Sequence, residues 1–116
     1  MVIHQGDIYW VDLKYPRGSE PAYRRPMVVV QNDMFNHSAL HTVIVAALTT
    51  NTARGAAPGN VTVRKGEANL PHRSVVNVTQ VSTLDKSELM EFIGRLTNQR
   101  IEQILQGIAL VIAPMP

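Results

Sequence analysis

Short apolar runs of β-forming residues, each closed by turn chemistry, limit this chain to a small and mainly β fold. Thr42 to Leu48 is an almost unbroken apolar run, the pattern of a strand buried on both faces. Met27 to Gln31 reads as a second buried strand, entered through Arg24, Arg25 and Pro26. Ile8 to Leu13, Asn60 to Arg64 and Ser74 to Val81 read as three more, and Glu91 to Leu96 as a further short one. Breakers stand between them: Pro16, Gly18 and Pro21, then Asn32-Asp33 as a turn, then Asn51, Gly55, Pro58 and Gly59. The last group marks Thr49 to Gly59 as a flexible loop. Leu84 to Leu89 reads as a strand end followed by one helical turn. Several short strands at regular spacing point to a small barrel or sandwich.

The clearest helix closes the chain. Thr97 is a capping residue, and Ile101, Ile104, Leu105, Ile108 and Val111 recur at helical spacing until Pro114 and Pro116. This stripe is expected to pack on the sheet. The expected class is therefore α+β, mainly β, with one C-terminal helix on a small barrel.

At 116 residues, 45% of them apolar, residues 1–116 are expected to form one domain with a core of its own. No cysteine is present, which excludes disulfides, a thiol nucleophile and cysteine metal sites. The N-terminus is too polar for a signal peptide, and the longest apolar stretches, Val43 to Leu48 and Ile108 to Ala113, are too short to span a bilayer. A cytoplasmic protein with no membrane contact is expected.

Net charge is only +2, but the positive side chains are grouped. Lys14, Arg17, Arg24 and Arg25 fall in one short stretch with Glu20 as its one acid. A guanidinium is permanently charged and presents a planar fork of donors suited to phosphate. Pro26 fixes its own φ and pushes Arg25 toward an extended conformation, so this arginine is held at the mouth of a core strand. Two readings stand: a solvated charge that caps the strand, or a phosphate-binding fork. Thr49 and Thr50 end the Thr42 to Leu48 run; if that run pairs antiparallel with Met27 to Gln31, Arg25 comes near Thr49, and a charged fork beside a hydroxyl can serve as an oxyanion site. Metal chemistry has weaker support. His37 and His41 are spaced as a ligand pair but have no evident third ligand, and no phosphate-binding glycine loop is present. No cofactor is expected.

GDIYWVDL from Gly6, RGSE from Arg17 to Glu20, and RRPMVVVQND from Arg24 to Asp33 resemble the MazF/PemK family of toxin endoribonucleases. The resemblance continues in order through TVIVAALT to Thr49, PGNVTV from Pro58, SVVNVTQV from Ser74 and TLDKSEL from Thr83, covering almost the whole chain. It implies an SH3-like barrel, a homodimer, and metal-independent cleavage of single-stranded RNA. It also implies a MazE-like antitoxin whose tail covers the RNA groove, with operator DNA bound only alongside that antitoxin. The resemblance makes Arg25 and Thr49 the catalytic pair and sets Glu20 near the RNA, while Arg17, Tyr23, Arg24 and Thr50 are candidate substrate contacts. The implied reaction is attack by the ribose 2′-hydroxyl, leaving a 2′,3′-cyclic phosphate and a 5′-hydroxyl. The competing expectation is a barrel of the same fold that binds nucleic acid or inhibits gyrase without cutting.

Overall fold

The computed structural model describes residues 2–12 and 24–116. Six strands, β1 (Asp7–Asp12), β2 (Arg24–Val29), β3 (Thr42–Thr49), β4 (Val61–Val63), β5 (Ser74–Asp85) and β6 (Phe92–Arg95), form one antiparallel sheet in the order β4-β5-β3-β2-β1-β6. The sheet curls into a half-barrel, and the helix α2 (Asn98–Ile112) packs on it. A four-residue helix, α1 (Asp33–Asn36), links β2 to β3.

Strand periodicity sorts the core into two layers. Val28, Val30, Ala46, Leu48, Val76 and Val78 point to the face that α2 covers through Ile104. Met27, Val29, Val43, Val45 and Ala47 point to the opposite face, where Tyr9, Leu84 and Leu89 close over them. The near-continuous apolar run of β3 follows from this double burial, except at Ile44, which the structure leaves 38% exposed.

Several boundaries differ from the sequence expectations. β2 begins at Arg24, so the two arginines and Pro26 lie inside the strand and not before it. The proline is tolerated because Pro26 sits opposite Trp10 of β1, while the ladder with β3 starts at Met27. β5 runs four residues beyond Val81 and carries a bulge, since its partner changes from Asn77 to Val81 between Ala47 and Ala46. Asn60 tidies that bulge by donating to the Asn77 side chain and accepting from the Val78 amide. The expected flexible loop after Thr49 holds a 3₁₀ helix, Thr52–Ala56, and the Asn32-Asp33 turn is an N-cap, with Asn32 accepting from the Met34 amide. The helical turn after β5, Lys86–Glu88, closes with a capping box between Asp85 and Glu88.

The stripe of α2 splits in two. Ile104 is buried and Ile101 and Ile108 are half-buried, but Leu105 and Val111 face outward. Gly107 sets the contact line instead: a Cβ there would collide with the Gly59 carbonyl. Among the described residues, no helix is long and apolar enough to cross a membrane.

Candidate functional site

Strand direction brings three ends to one edge of the sheet. β2 starts there, β3 ends there and β5 starts there. Met27 faces Ala47 and Val28 faces Ala46, so the same register carried two residues further sets Arg25 across from Thr49. On the other side of β3, Thr49 pairs with Val75. Neighbouring strands lie about 4.8 Å apart, so residues from β2, β3 and β5 share one small patch.

A cleft of about 230 Å³ opens at this edge. Trp10, Arg24, Arg25, Thr49, Thr50 and His72 are among the residues that line it, with Leu70, Pro71 and Ser74 closing one side. Arg25 is only 5% exposed, and its Nε donates to the Leu48 carbonyl at 2.9 Å. Burial, and then the nearby charge of Arg54, hold its guanidinium below the ordinary arginine value. An arginine so placed is still a cation in any ordinary buffer, and it meets an incoming anion with a partly desolvated charge. The Thr49 hydroxyl accepts from the Asn51 amide at 3.2 Å. A hydroxyl that accepts there keeps its own proton for a ligand oxygen.

Arg24 is differently placed. It is exposed, pairs with Glu91 at 2.9 Å and with Asp12 at 3.9 Å, and lies 5.2 Å from the ring centre of Trp10. The two adjacent arginines thus divide, one fastened in the cleft wall and one balanced by carboxylates on the rim. Arg17, Glu20 and Tyr23 lie outside the described residues. His37, one of the spaced histidine pair, bonds the Ile3 carbonyl at 2.9 Å. Among the described residues, no cluster of three histidine, aspartate or glutamate side chains is arranged to hold a metal ion.

Trp10, Arg54, Leu70, Pro71 and His72 were not marked as site residues by the sequence, and Ser74 was marked only as one of two serines with no spacing to single it out. Arg54 had no signal, because only the 3₁₀ helix returns it toward Arg25. His72 could have been found by extending the antiparallel pairing one strand further, from β3 to β5.

The curled half-barrel with its C-terminal helix is the fold of a solved MazF from Deinococcus radiodurans, which superposes with a TM-score of 0.77 at 19% identity over 98% of this chain and 99% of that one. Residues 4–112 match the model of the PemK-like, MazF-like toxins of type II toxin–antitoxin systems, and the chain belongs to that family. It is 45% identical over 112 residues to the endoribonuclease MazF6 of Mycobacterium tuberculosis, covering 97% of this chain and 98% of that one. A solved endoribonuclease from a mycobacterial species superposes with a TM-score of 0.77 at 25% identity, covering 100% of this chain and 97% of the other. A second mycobacterial endoribonuclease, solved in complex with its cognate antitoxin, gives 0.74 at 24% identity over 99% and 98% of the two chains.

Proposed function

We propose that this endoribonuclease toxin cuts single-stranded RNA at the Arg25–Thr49 edge, through attack of the ribose 2′-hydroxyl on the adjacent phosphorus. The P–O5′ bond breaks, leaving a 2′,3′-cyclic phosphate on one fragment and a 5′-hydroxyl on the other. Arg25 meets the negative charge that builds on the phosphoryl oxygens, and Thr49 donates a hydrogen bond to one of them. Fixed donors aimed at developing charge lower a barrier because they need no reorganisation as the reaction proceeds. Charge stabilisation by guanidinium makes the reaction independent of a metal ion. Thr50, Arg24 and Trp10 border the same cleft and bind the strand on either side. Arg17, Glu20 and Tyr23, which precede β2 in the sequence, are the further candidate RNA contacts.

The observation that carries this reading is the fastening of a buried Arg25 to Leu48, in register with Thr49, in a chain of this toxin family. Toxins of type II systems are held by a protein antitoxin, so a MazE-like partner covers the RNA surface, and operator DNA is bound through that partner. An apolar groove lined by Phe35, Leu40, Ile44, Val81, Leu105 and Ile108 supports a homodimer. RNA as substrate sets the site of action in the cytoplasm, with residues 1–116 acting as one unit.

Incubating a long transcript with the protein in excess EDTA tests the reading. Defined cuts with cyclic-phosphate ends are expected from the wild type and none from Arg25→Ala. Binding without cutting would favour a nucleic-acid-binding barrel.

A further inference from the structure

Cleavage by an internal hydroxyl needs a group that takes the 2′-proton, and neither Arg25 nor Thr49 can do so. An arginine side chain stays protonated, and a threonine hydroxyl is far too weak a base near neutral pH. Among the described residues lining the cleft, Trp10 is a donor only, Arg24 is a second permanent cation, and Thr50 and Ser74 are hydroxyls. His72 is the one lining side chain of a type that both accepts and releases a proton near neutral pH.

Its backbone is held in place. Leu70 and Ser74, two residues either side, are both buried. The Leu70 carbonyl accepts from the Gly66 amide at 2.9 Å, and the Ser74 hydroxyl donates to the carbonyl of His72 itself at 2.9 Å. Pro71 restricts the residue before it, and Leu70 has the extended φ of −66° and ψ of 131° this requires. A short tether between two buried anchors thus presents an exposed imidazole to the cleft. Because Thr49 pairs with Val75, His72 lies three residues from the strand position beside the candidate catalytic threonine.

We infer that His72 is the proton acceptor for the attacking 2′-hydroxyl. The inference rests on the cleavage reading above and names the group that reading lacks. The 2′-O–H proton passes to a ring nitrogen of His72 as the 2′-oxygen bonds to phosphorus. The P–O5′ bond breaks, and the leaving oxygen takes a proton from water. The hydroxide formed is neutralised by the proton that the imidazolium releases. Among the described residues, the charged side chains that line the cleft with His72 are Arg24 and Arg25 of β2; Arg73 follows it in the chain, Arg54 acts on Arg25, and Asp12 and Glu91 pair with Arg24.

The test uses the full chain and a short oligoribonucleotide spanning a mapped cut. Rate constants and KM are measured against pH for the wild type, His72→Ala, His72→Gln, Arg25→Ala and Glu20→Gln, with thermal melts for each. General-base catalysis of this kind contributes roughly 100-fold or more. Both His72 variants are therefore expected to lose about 100-fold in kcat at nearly unchanged KM and to lose the acidic limb of the pH profile. Added imidazole is expected to restore part of the rate to His72→Ala. Wild-type kcat in His72→Gln, an unchanged acidic limb, a rise in KM alone, or loss of that limb in Glu20→Gln instead would each overturn the assignment. A wild type that cuts nothing would overturn the cleavage reading together with it. An active wild type with inactive Arg25→Ala and normal His72→Ala would overturn this inference alone.

Discussion

The Nε of Arg25 donates to the Leu48 carbonyl at 2.9 Å, so the guanidinium on β2 is fastened to the residue immediately before Thr49 on β3. The contact fixes orientation as well as position, because a guanidinium is planar and its donors move together. A lysine would keep the charge and lose that fork. Arg25→Lys is therefore expected to lower kcat by at least ~10-fold and Arg25→Ala by ~100-fold or more, both with the fold retained by circular dichroism. Single-turnover cleavage of a mapped oligoribonucleotide measures both.

Thr49 separates shape from chemistry. Thr49→Val keeps the branched side chain that suits a strand and removes the hydroxyl; Thr49→Ser does the reverse. If the hydroxyl donates to a phosphoryl oxygen, Val is expected to cost roughly 100-fold in kcat and Ser less than about 10-fold. Equal losses in the two variants would assign Thr49 a packing role.

Much of this site was legible before the structure. Two apolar runs joined by ten residues could pair antiparallel, and the structure pairs them so, in the register that carries Arg25 across from Thr49. What was illegible came from partners distant in the chain. The pairing of Arg24 with Glu91, 67 residues away, leaves no trace in the local sequence. The helix stripe over-counted, since helical spacing marks Leu105 and Val111 as apolar but not which neighbour they meet. Nothing in a helical pattern announces that Gly107 must pass the Gly59 carbonyl. β2 was started too late because a proline ordinarily ends a strand, and here the strand's β3 ladder begins only after it.

Gly107 gives a prediction in which two effects have opposite sign. Helix propensity alone would make Gly107→Ala stabilising by about 1 kcal/mol. The collision with backbone of the Gly59 turn must push α2 off the sheet, at a cost of roughly 1–3 kcal/mol for overpacking. We expect the collision to win and Tm to fall by a few degrees in a thermal melt. A higher Tm would mean that the turn yields freely.

Glu67 and Arg100 join the turn before β5 to α2 through two hydrogen bonds, at 2.9 and 3.0 Å. The Arg100 hydrogen bonds, against the opposing effect of burial, hold the Glu67 carboxyl below its ordinary value of 4.5. A carboxyl depressed in the folded state stabilises fully above its unfolded value, and the contribution is lost as pH falls through the folded one. Glu67→Gln should therefore lower Tm at pH 7, by an amount worth about 1 kcal/mol. The gap between variant and wild type should close as pH falls below 4.5. Melts across that range measure it, and a gap independent of pH would assign the loss to packing.

Arg25, set against Thr49, is proposed to drive RNA cleavage by the substrate's own 2′-hydroxyl. The most direct measurement analyses the ends produced from one oligoribonucleotide in excess EDTA, with and without a single 2′-deoxy sugar at the cut. Expected are 2′,3′-cyclic phosphate and 5′-hydroxyl ends from the all-ribose strand, no cut in the 2′-deoxy strand, and no cut of either by Arg25→Ala. Cleavage of the 2′-deoxy strand, 5′-phosphate ends, or near-wild-type cutting by Arg25→Ala would contradict it.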